Sequence, residues 1–148
     1  MRVREMCMFA PVTCRRDASA RDVAALMRER NVGDVIVVED RDGGAVPIGV
    51  LTDRDLAVEL MATGIDPASV CAGDLLTREC VTVLASDMAY DAIWQMRRCA
   101  VRRLPVVDAQ GHLVGILTMD DLNRFLAQEL NELTQVVPRQ SDAERRLR

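Results

Sequence analysis

One sequence pattern occurs twice in this chain, and this repeat limits the fold more than any other feature. Val12-Thr13 recurs as Val81-Thr82, 69 residues later. The block from Gly49 to Asp55 recurs from Gly115 to Asp121, 66 residues later. The offset changes once, at a glycine-containing turn present in both copies. Self-similarity of this kind indicates two copies of one structural unit.

Each copy predicts the element order β-α-β-β-α. A serine, Ser19 or Ser86, is expected to cap a first helix that has an apolar stripe. Two β-rich runs joined by a turn then predict a hairpin. A second helix is expected to begin at Thr52 and at Thr118. Because one unit would leave an apolar sheet face exposed, we expect an α+β fold in which two units pack about a pseudo-twofold axis.

The repeat also sets the expected domain boundaries. Repeat 1 spans residues 3–64, a linker spans 65–71, and repeat 2 spans 72–131. The segment 138–148 is rich in arginine and poor in apolar residues, so it predicts a mobile C-terminal tail.

Charge and hydropathy argue against nucleic-acid and membrane partners. The 19 basic residues are all arginines, set among 23 acids for a net charge of −4. Charged residues interrupt the first ten positions, which argues against a signal peptide, and no apolar run approaches the ~18 residues of a membrane span. We therefore expect a cytoplasmic protein.

The cysteines do not predict a disulfide framework or a metal site. Their number, five, is odd, and no two form a CxxC pair. Most are interpreted as buried thiols. Redox gating through Cys7 and Cys14 is kept as an alternative hypothesis.

No catalytic set is apparent in the sequence. The chain has no lysine and a single histidine, His112, which is expected to face solvent in a turn. Tyr90 and Trp94, four residues apart on a predicted helix, favour packing against a partner or the core. These observations predict a regulatory protein rather than an enzyme.

The two Gly-hydrophobic-hydrophobic-Thr-x-x-Asp blocks, Gly49–Asp55 and Gly115–Asp121, together with the run Arg103–Asp108, resemble the CBS domain family. The stretch Leu51–Asp55, followed by 64–67 and Ala72–Leu75, particularly resembles stand-alone bacterial CBS pairs such as the hypoxic response proteins. The resemblance implies a CBS pair, or Bateman module, with two clefts between the repeats and association as a homodimer. Family members hold AMP, ADP, ATP or S-adenosyl compounds in such clefts, and no permanent cofactor is implied.

The resemblance also implies which residues line each cleft. One cleft would use Val12, Thr13, Gly33 and Asp34 with Thr118 and Asp121. The other would use Val81, Thr82, Val101, Arg102 and Arg103 with Thr52 and Asp55, and Arg54 could contribute to it. The second cleft is expected to bind more tightly because it has arginines where the first has Gly33 and Asp34.

Two interpretations of the Thr-x-x-Asp blocks remain open. In the first, helix N-terminal amides and the threonine receive a phosphate, the aspartate binds ribose hydroxyls, and valines enclose the adenine. In the second, the blocks only cap helices. The first interpretation predicts an adenine-nucleotide sensor that signals by a change in shape or in contact with an unidentified regulated protein. The second predicts a ligand-free, stress-related interaction or dimerisation module.

Overall fold

The structure, a computed structural model, describes residues 1–136 and contains the predicted order of elements twice. The strands are β1 (Met8–Phe9), β2 (Thr13–Arg15), β3 (Asp34–Arg41), β4 (Gly44–Thr52), β5 (Val83–Leu84), β6 (Arg103–Val107) and β7 (Leu113–Thr118). The helices are α1 (Ala20–Arg30), α2 (Asp53–Leu56), α3 (Ala89–Cys99) and α4 (Met119–Thr134). This arrangement confirms the α+β class. The tail predicted at 138–148 lies outside the described residues.

The strands form two sheets, one for each repeat. In repeat 1, β2 pairs in parallel with β3, which pairs antiparallel with β4. In repeat 2, β5, β6 and β7 have the same relations. The registers place Asp34 opposite Thr52 and Arg103 opposite Thr118. The first residue of each hairpin therefore lies beside the start of the second helix.

Apolar residues form three clusters that account for the packing of the repeats. In repeat 1, Val23 of α1 packs with Leu51 of β4. In repeat 2, Met96 of α3 packs with Leu117 of β7. A third cluster contains Ile36, Val38 and Ile116 and joins the two sheets. The apolar sheet faces that one unit would expose are thus buried against each other, as the repeat predicts.

The first residues of each repeat cross over to the other one. A 3-10 turn at Val3–Glu5 and strand β1 belong to repeat 2, where Val3 and Cys7 are buried in the core and β1 pairs with β7. In the same way, a 3-10 turn at Ala72–Leu75 places Ala72 in the core of repeat 1. The packing boundary therefore differs from the sequence boundary at both ends.

A glycine in each repeated block makes this exchange possible. A Cβ atom at Gly115 would lie 2.8 Å from the backbone oxygen of Met8. A Cβ atom at Gly49 would lie 2.4 Å from a methyl carbon of Leu76. Both distances are shorter than van der Waals contact, so a side chain at Gly115 would displace backbone, whereas one at Gly49 would displace the flexible Leu76 side chain.

The helix starts follow the sequence in three of four cases. Ser19 caps α1 by accepting a hydrogen bond from the Asp22 amide, and Thr52 and Thr118 cap α2 and α4. The predicted cap at Ser86 is wrong. Helix α3 begins at Ala89 after Met88, whose amide donates to the Asp91 carboxylate at 3.0 Å. Met88 has no side-chain oxygen that could cap the helix, so the Asp91 carboxylate is the side-chain group that stabilises this helix start.

The second helices of the two repeats differ in length. Helix α2 continues as a π-helical turn over Ala57–Met61 and ends before Gly64, whose φ angle is positive. Helix α4 runs without interruption to Thr134. Within residues 1–136, none of the helices has the length and apolar character needed to span a bilayer.

Candidate ligand-binding cleft

A cleft of about 590 Å³ lies between the two repeats. Repeat 1 contributes the end of β4 and the start of α2, and repeat 2 contributes Val81 and the residues at the start of β6. The volume lies within the range of about 300–1,000 Å³ typical of small-molecule sites. The cleft is therefore large enough for a nucleotide-sized ligand.

Most residues predicted for the second cleft line this space. They are Thr52, Arg54, Asp55, Val81, Val101, Arg102 and Arg103. Thr82 is not among the lining residues. Strands β5 and β6 run parallel, so Val81, which lies just before β5, is placed beside the residues at the start of β6.

The residues predicted for the first cleft have a different placement. None of Val12, Thr13, Gly33, Asp34, Thr118 and Asp121 lines this cleft or a second one of about 370 Å³ bounded by Arg15, Arg16 and Asp74. Asp34 forms an ion pair with Arg103, and the side chain of Asp121 is buried, with 8% of its surface exposed. The two sites that the repeat would make equivalent are therefore unequal.

The two Thr-x-x-Asp blocks form complete capping boxes. The Asp55 Oδ2 atom accepts hydrogen bonds from the Thr52 amide at 2.8 Å and from the Thr52 hydroxyl at 2.9 Å. Asp121 Oδ2 accepts the corresponding bonds from Thr118 at 2.9 and 2.6 Å. Both aspartates therefore stabilise a helix start without a ligand.

The second carboxylate oxygen distinguishes the two boxes. Asp121 Oδ1 accepts a hydrogen bond from Arg124 at 3.2 Å. Asp55 Oδ1 accepts no hydrogen bond from residues 1–136, although Asp55 lines the cleft. Asp55 thus keeps one acceptor for a ligand hydroxyl, whereas both oxygens of Asp121 have partners.

The backbone amides at the start of α2, which the nucleotide interpretation assigns to a phosphate, already have acceptors within the protein. The Asp53 amide donates to the Gly33 carbonyl at 3.0 Å, and the Arg54 amide donates to Asp53 Oδ1 at 2.8 Å. The Asp55 amide donates to the Thr52 hydroxyl at 3.2 Å. All three donors therefore have acceptors without a ligand, and the guanidinium groups that line the cleft are further groups that could bind an anion.

The sequence reasoning missed a large part of the cleft wall. The segment 75–80, which connects the second 3-10 turn to β5, contributes Leu75, Leu76, Thr77, Arg78, Glu79 and Cys80. Gly49, Val50, Asp53, Glu59 and Ala100 complete the lining. The signal that could have identified segment 75–80 is its position directly before Val81, a residue already assigned to the site.

The cleft carries charges of both signs. Its arginines are Arg54, Arg78, Arg102 and Arg103, and its acids are Asp53, Asp55, Glu59 and Glu79. Arg103 is paired with Asp34, while the other three arginines have no carboxylate within 4.0 Å among the residues the structure describes. These three guanidinium groups are the free cations available to an anionic ligand.

Thiol chemistry is disfavoured at the cysteines singled out by their sequence spacing. Cys7 lies in the core of repeat 2, and burial raises its pKa. Cys14 packs against the core of repeat 1, and burial raises its pKa to about 11. Because the thiolate is the reactive form, both groups are poor nucleophiles near neutral pH. Residues 1–136 contain no cluster of three His, Cys, Asp or Glu side chains that could hold a metal ion.

Three further side chains have clear positions. His112 lies in the predicted turn but does not face solvent freely, because its ring covers Gly44 and would lie 2.4 Å from a Cβ there. Tyr90 and Trp94 are 71% and 56% exposed, which rules out a core role within the single chain. The Arg98 guanidinium lies 4.4 Å from the centre of the Trp94 ring, a distance typical of cation–π contact.

Comparison with known proteins supports the family resemblance. The hypoxic response protein 1 of Mycobacterium tuberculosis (strain ATCC 25618 / H37Rv) is 34% identical over 122 residues, which cover 82% of each chain. The uncharacterized protein MK0525 of Methanopyrus kandleri is 36% identical over 104 residues, or 70% of this chain and only 52% of that protein. The chain thus spans about half the length of that relative.

A solved structure and a family model agree with this result. The CBS domain protein PAE2072 from Pyrobaculum aerophilum, complexed with AMP, superimposes with a TM-score of 0.73 at 28% identity, covering 82% of this chain and 89% of that one. The CBS domain model matches residues 3–62 and 72–128. The chain therefore belongs to the CBS domain family and contains two CBS domains that form a pair.

Proposed function

We propose that this chain is a non-catalytic regulatory CBS pair that binds an adenine nucleotide in the 590 Å³ cleft and signals by a change in conformation or in partner contact. One observation carries the proposal: the cleft lies between the repeats and is lined by the predicted residues Thr52, Asp55, Val81 and Arg102. The AMP complex of PAE2072, which has the same fold at 28% identity, supports the same ligand class.

Each part of a nucleotide has a matching group in the cleft. Val81 and Val101 provide apolar, half-buried surface for the adenine. The free Oδ1 of Asp55 accepts a ribose hydroxyl. Arg54, Arg78 and Arg102 are available for phosphate, since they line the cleft and have no carboxylate within 4.0 Å among residues 1–136. Free guanidinium groups favour AMP, ADP or ATP over the cationic sulfonium of S-adenosylmethionine.

Ligand binding across the repeats provides a route to signalling. Thr52 and Asp55 belong to repeat 1, whereas Val101 and Arg102 belong to repeat 2, so a ligand that contacts both fixes their relative orientation. Segment 75–80 also lines the cleft and leads from the turn packed on repeat 1 to β5 of repeat 2. We propose that this change alters contact with a separate regulated protein. The free thiols of the described residues support a reducing compartment, the cytoplasm, as the place of action.

Exposed apolar side chains support association as a homodimer through the CBS pair. Tyr90 and Trp94 on α3 and Leu130 and Leu133 on α4 are all exposed, although the two helices pack against each other. Such a patch is typical of a protein–protein interface. We expect a dimer by light scattering and a monomer after Trp94→Asp. Ile65→Asp, which places the same charge on an exposed linker residue, is the control and is expected to stay dimeric. A monomeric wild-type protein would contradict the homodimer.

Thermal unfolding with candidate ligands tests nucleotide binding. At a concentration of one hundred times Kd, a ligand specific for the folded state adds about 2.7 kcal/mol. For a chain of this size this raises Tm by roughly 8 °C. We expect such a shift with AMP, ADP or ATP. The absence of a shift with these compounds, NAD and S-adenosylmethionine at millimolar concentration would overturn the proposal.

The capping boxes favour a second candidate function, a ligand-free, stress-related interaction module. Thr52–Asp55 and Thr118–Asp121 are complete without a ligand, so capping alone accounts for both blocks. Mass spectrometry of the purified, heat-denatured protein separates the two functions. Release of an adenine nucleotide supports the sensor, and its absence together with no thermal shift supports the interaction module.

A further inference from the structure

We infer that Asp34 sets how strongly the cleft prefers a phosphate-bearing nucleotide over the bare nucleoside, because it neutralises the Arg103 guanidinium. The inference rests on the proposed function and concerns the same cleft. Arg103 lines the cleft, whereas Asp34 does not, and the Asp34 carboxylate pairs with Arg103 Nε from outside. Asp34 is thus a specificity-determining residue rather than part of a second binding site.

The position of this pair follows from the repeat. Asp34 is the first residue of β3 and Arg103 is the first residue of β6, so the two are equivalent positions of the two copies. The pseudo-twofold axis brings equivalent positions together, and opposite charges at the two positions form an ion pair between the repeats. The exposed fractions of the side chains, 21% for Asp34 and 35% for Arg103, show that both are partly shielded from water. Screening by salt is therefore weaker than for a surface pair.

The pair changes what an incoming phosphate meets. Arg103 Nε is buried and forms its ion pair with the Asp34 carboxylate. A phosphate near Arg103 therefore meets a neutral pair rather than a free cation. Arg54, Arg78 and Arg102 have no carboxylate within 4.0 Å among residues 1–136 and are not neutralised by a direct ion pair. The adenine and ribose carry no charge and are insensitive to the state of Arg103.

Calorimetric titration of the full chain with AMP and with adenosine tests this inference. Asp34→Asn removes the charge and keeps the shape of the side chain. We expect AMP to bind about threefold to tenfold more tightly, with adenosine unchanged. Asp34→Ser, a second way of removing the charge, is expected to change binding in the same direction. The matched control is Asp40→Asn. Asp40 lies on β3, as Asp34 does, but its carboxylate pairs with Arg15 of β2, away from the cleft.

Repeating the Asp34→Asn comparison in an Arg103→Gln variant tests whether Asp34 acts through Arg103. In Arg103→Gln, AMP should bind more weakly than in the wild type, and adding Asp34→Asn should give a smaller gain than in the wild type. An equal gain in both backgrounds, an unchanged AMP-to-adenosine ratio, or the same gain from Asp40→Asn would overturn this inference while leaving nucleotide binding intact. Failure of the wild type and every variant to bind AMP, ADP, ATP or adenosine would overturn the proposed function and this inference with it.

Discussion

The two aspartates of the repeated blocks should have opposite roles in folding and in binding. Asp55 lines the cleft and has a free Oδ1, whereas Asp121 is buried and has partners on both oxygens. We therefore expect Asp55→Ala to weaken AMP binding strongly and to cost little stability. Asp121→Ala should cost more stability and leave AMP binding unchanged.

The hydrogen bonds in the structure set the magnitudes. Asp55→Ala removes the acceptor of the Thr52 amide and hydroxyl, and loss of a capping interaction costs about 1 kcal/mol. Asp121→Ala removes the same two bonds from a buried carboxylate, leaving the Thr118 amide and hydroxyl without their acceptor, and also removes the contact with the exposed Arg124, so we expect about 2 to 3 kcal/mol. Loss of a charged acceptor for a ligand hydroxyl is worth about 1.5 to 3 kcal/mol, or roughly 10-fold to 100-fold in Kd.

Urea unfolding followed by circular dichroism gives the free energies of unfolding, and calorimetric titration with AMP gives Kd. Asp40→Asn serves again as the control, since its side chain lies outside the cleft. The reasoning is refuted if both alanine variants lose AMP affinity equally, which would mean that two equivalent clefts bind the nucleotide. It is also refuted if Asp55→Ala destabilises the fold more than Asp121→Ala.

Two further predictions concern glycine and cysteine. Gly115→Ala should destabilise the fold by about 2 to 3 kcal/mol, and Gly49→Ala by about 1 kcal/mol, because the new methyl group meets backbone at Gly115 but a flexible Leu76 side chain at Gly49; equal losses in urea unfolding would contradict this. Burial raises the pKa of Cys80 to about 11, so its alkylation, followed by peptide mass spectrometry, should accelerate about tenfold per pH unit from pH 8 towards 11, and AMP should slow it because Cys80 lines the cleft. The Cys80 thiol ionises at a higher pH in the folded chain than in the unfolded chain. The free energy of unfolding should therefore fall as the pH rises from 9 to about 11, and Cys80→Ala should reduce this loss.

Local patterns in the sequence were sufficient to predict the architecture. The matched offsets identify two units, and the positions of Ser19, Thr52 and Thr118 identify three of the four helix starts. These features depend on neighbouring residues, whose effects can be read along the chain. The cap predicted at Ser86 failed because the carboxylate of Asp91 stabilises the start of α3 instead.

Contacts between the repeats were beyond the reach of such patterns. Strand β1 has two residues and no periodicity, so its pairing with β7 left no signal in the sequence. Asp34 and Arg103 were recognised as equivalent positions with opposite charge, but the sequence does not show that they meet. The bond from the Asp53 amide to the Gly33 carbonyl likewise joins two separate elements and could not be read along the chain.

The first residues of each repeat pack in the other repeat, and this exchange bears on how such a pair arose. A single ancestral unit with this design would extend its first residues onto a neighbour and would lack the strand and the turn that complete its own core. Such a unit completes itself only by reciprocal exchange with an identical copy. Gene duplication and fusion would then turn an exchange between two molecules into one within a single polypeptide. Fragments separated in the 65–71 linker should therefore be unstable alone and should recover their structure when mixed.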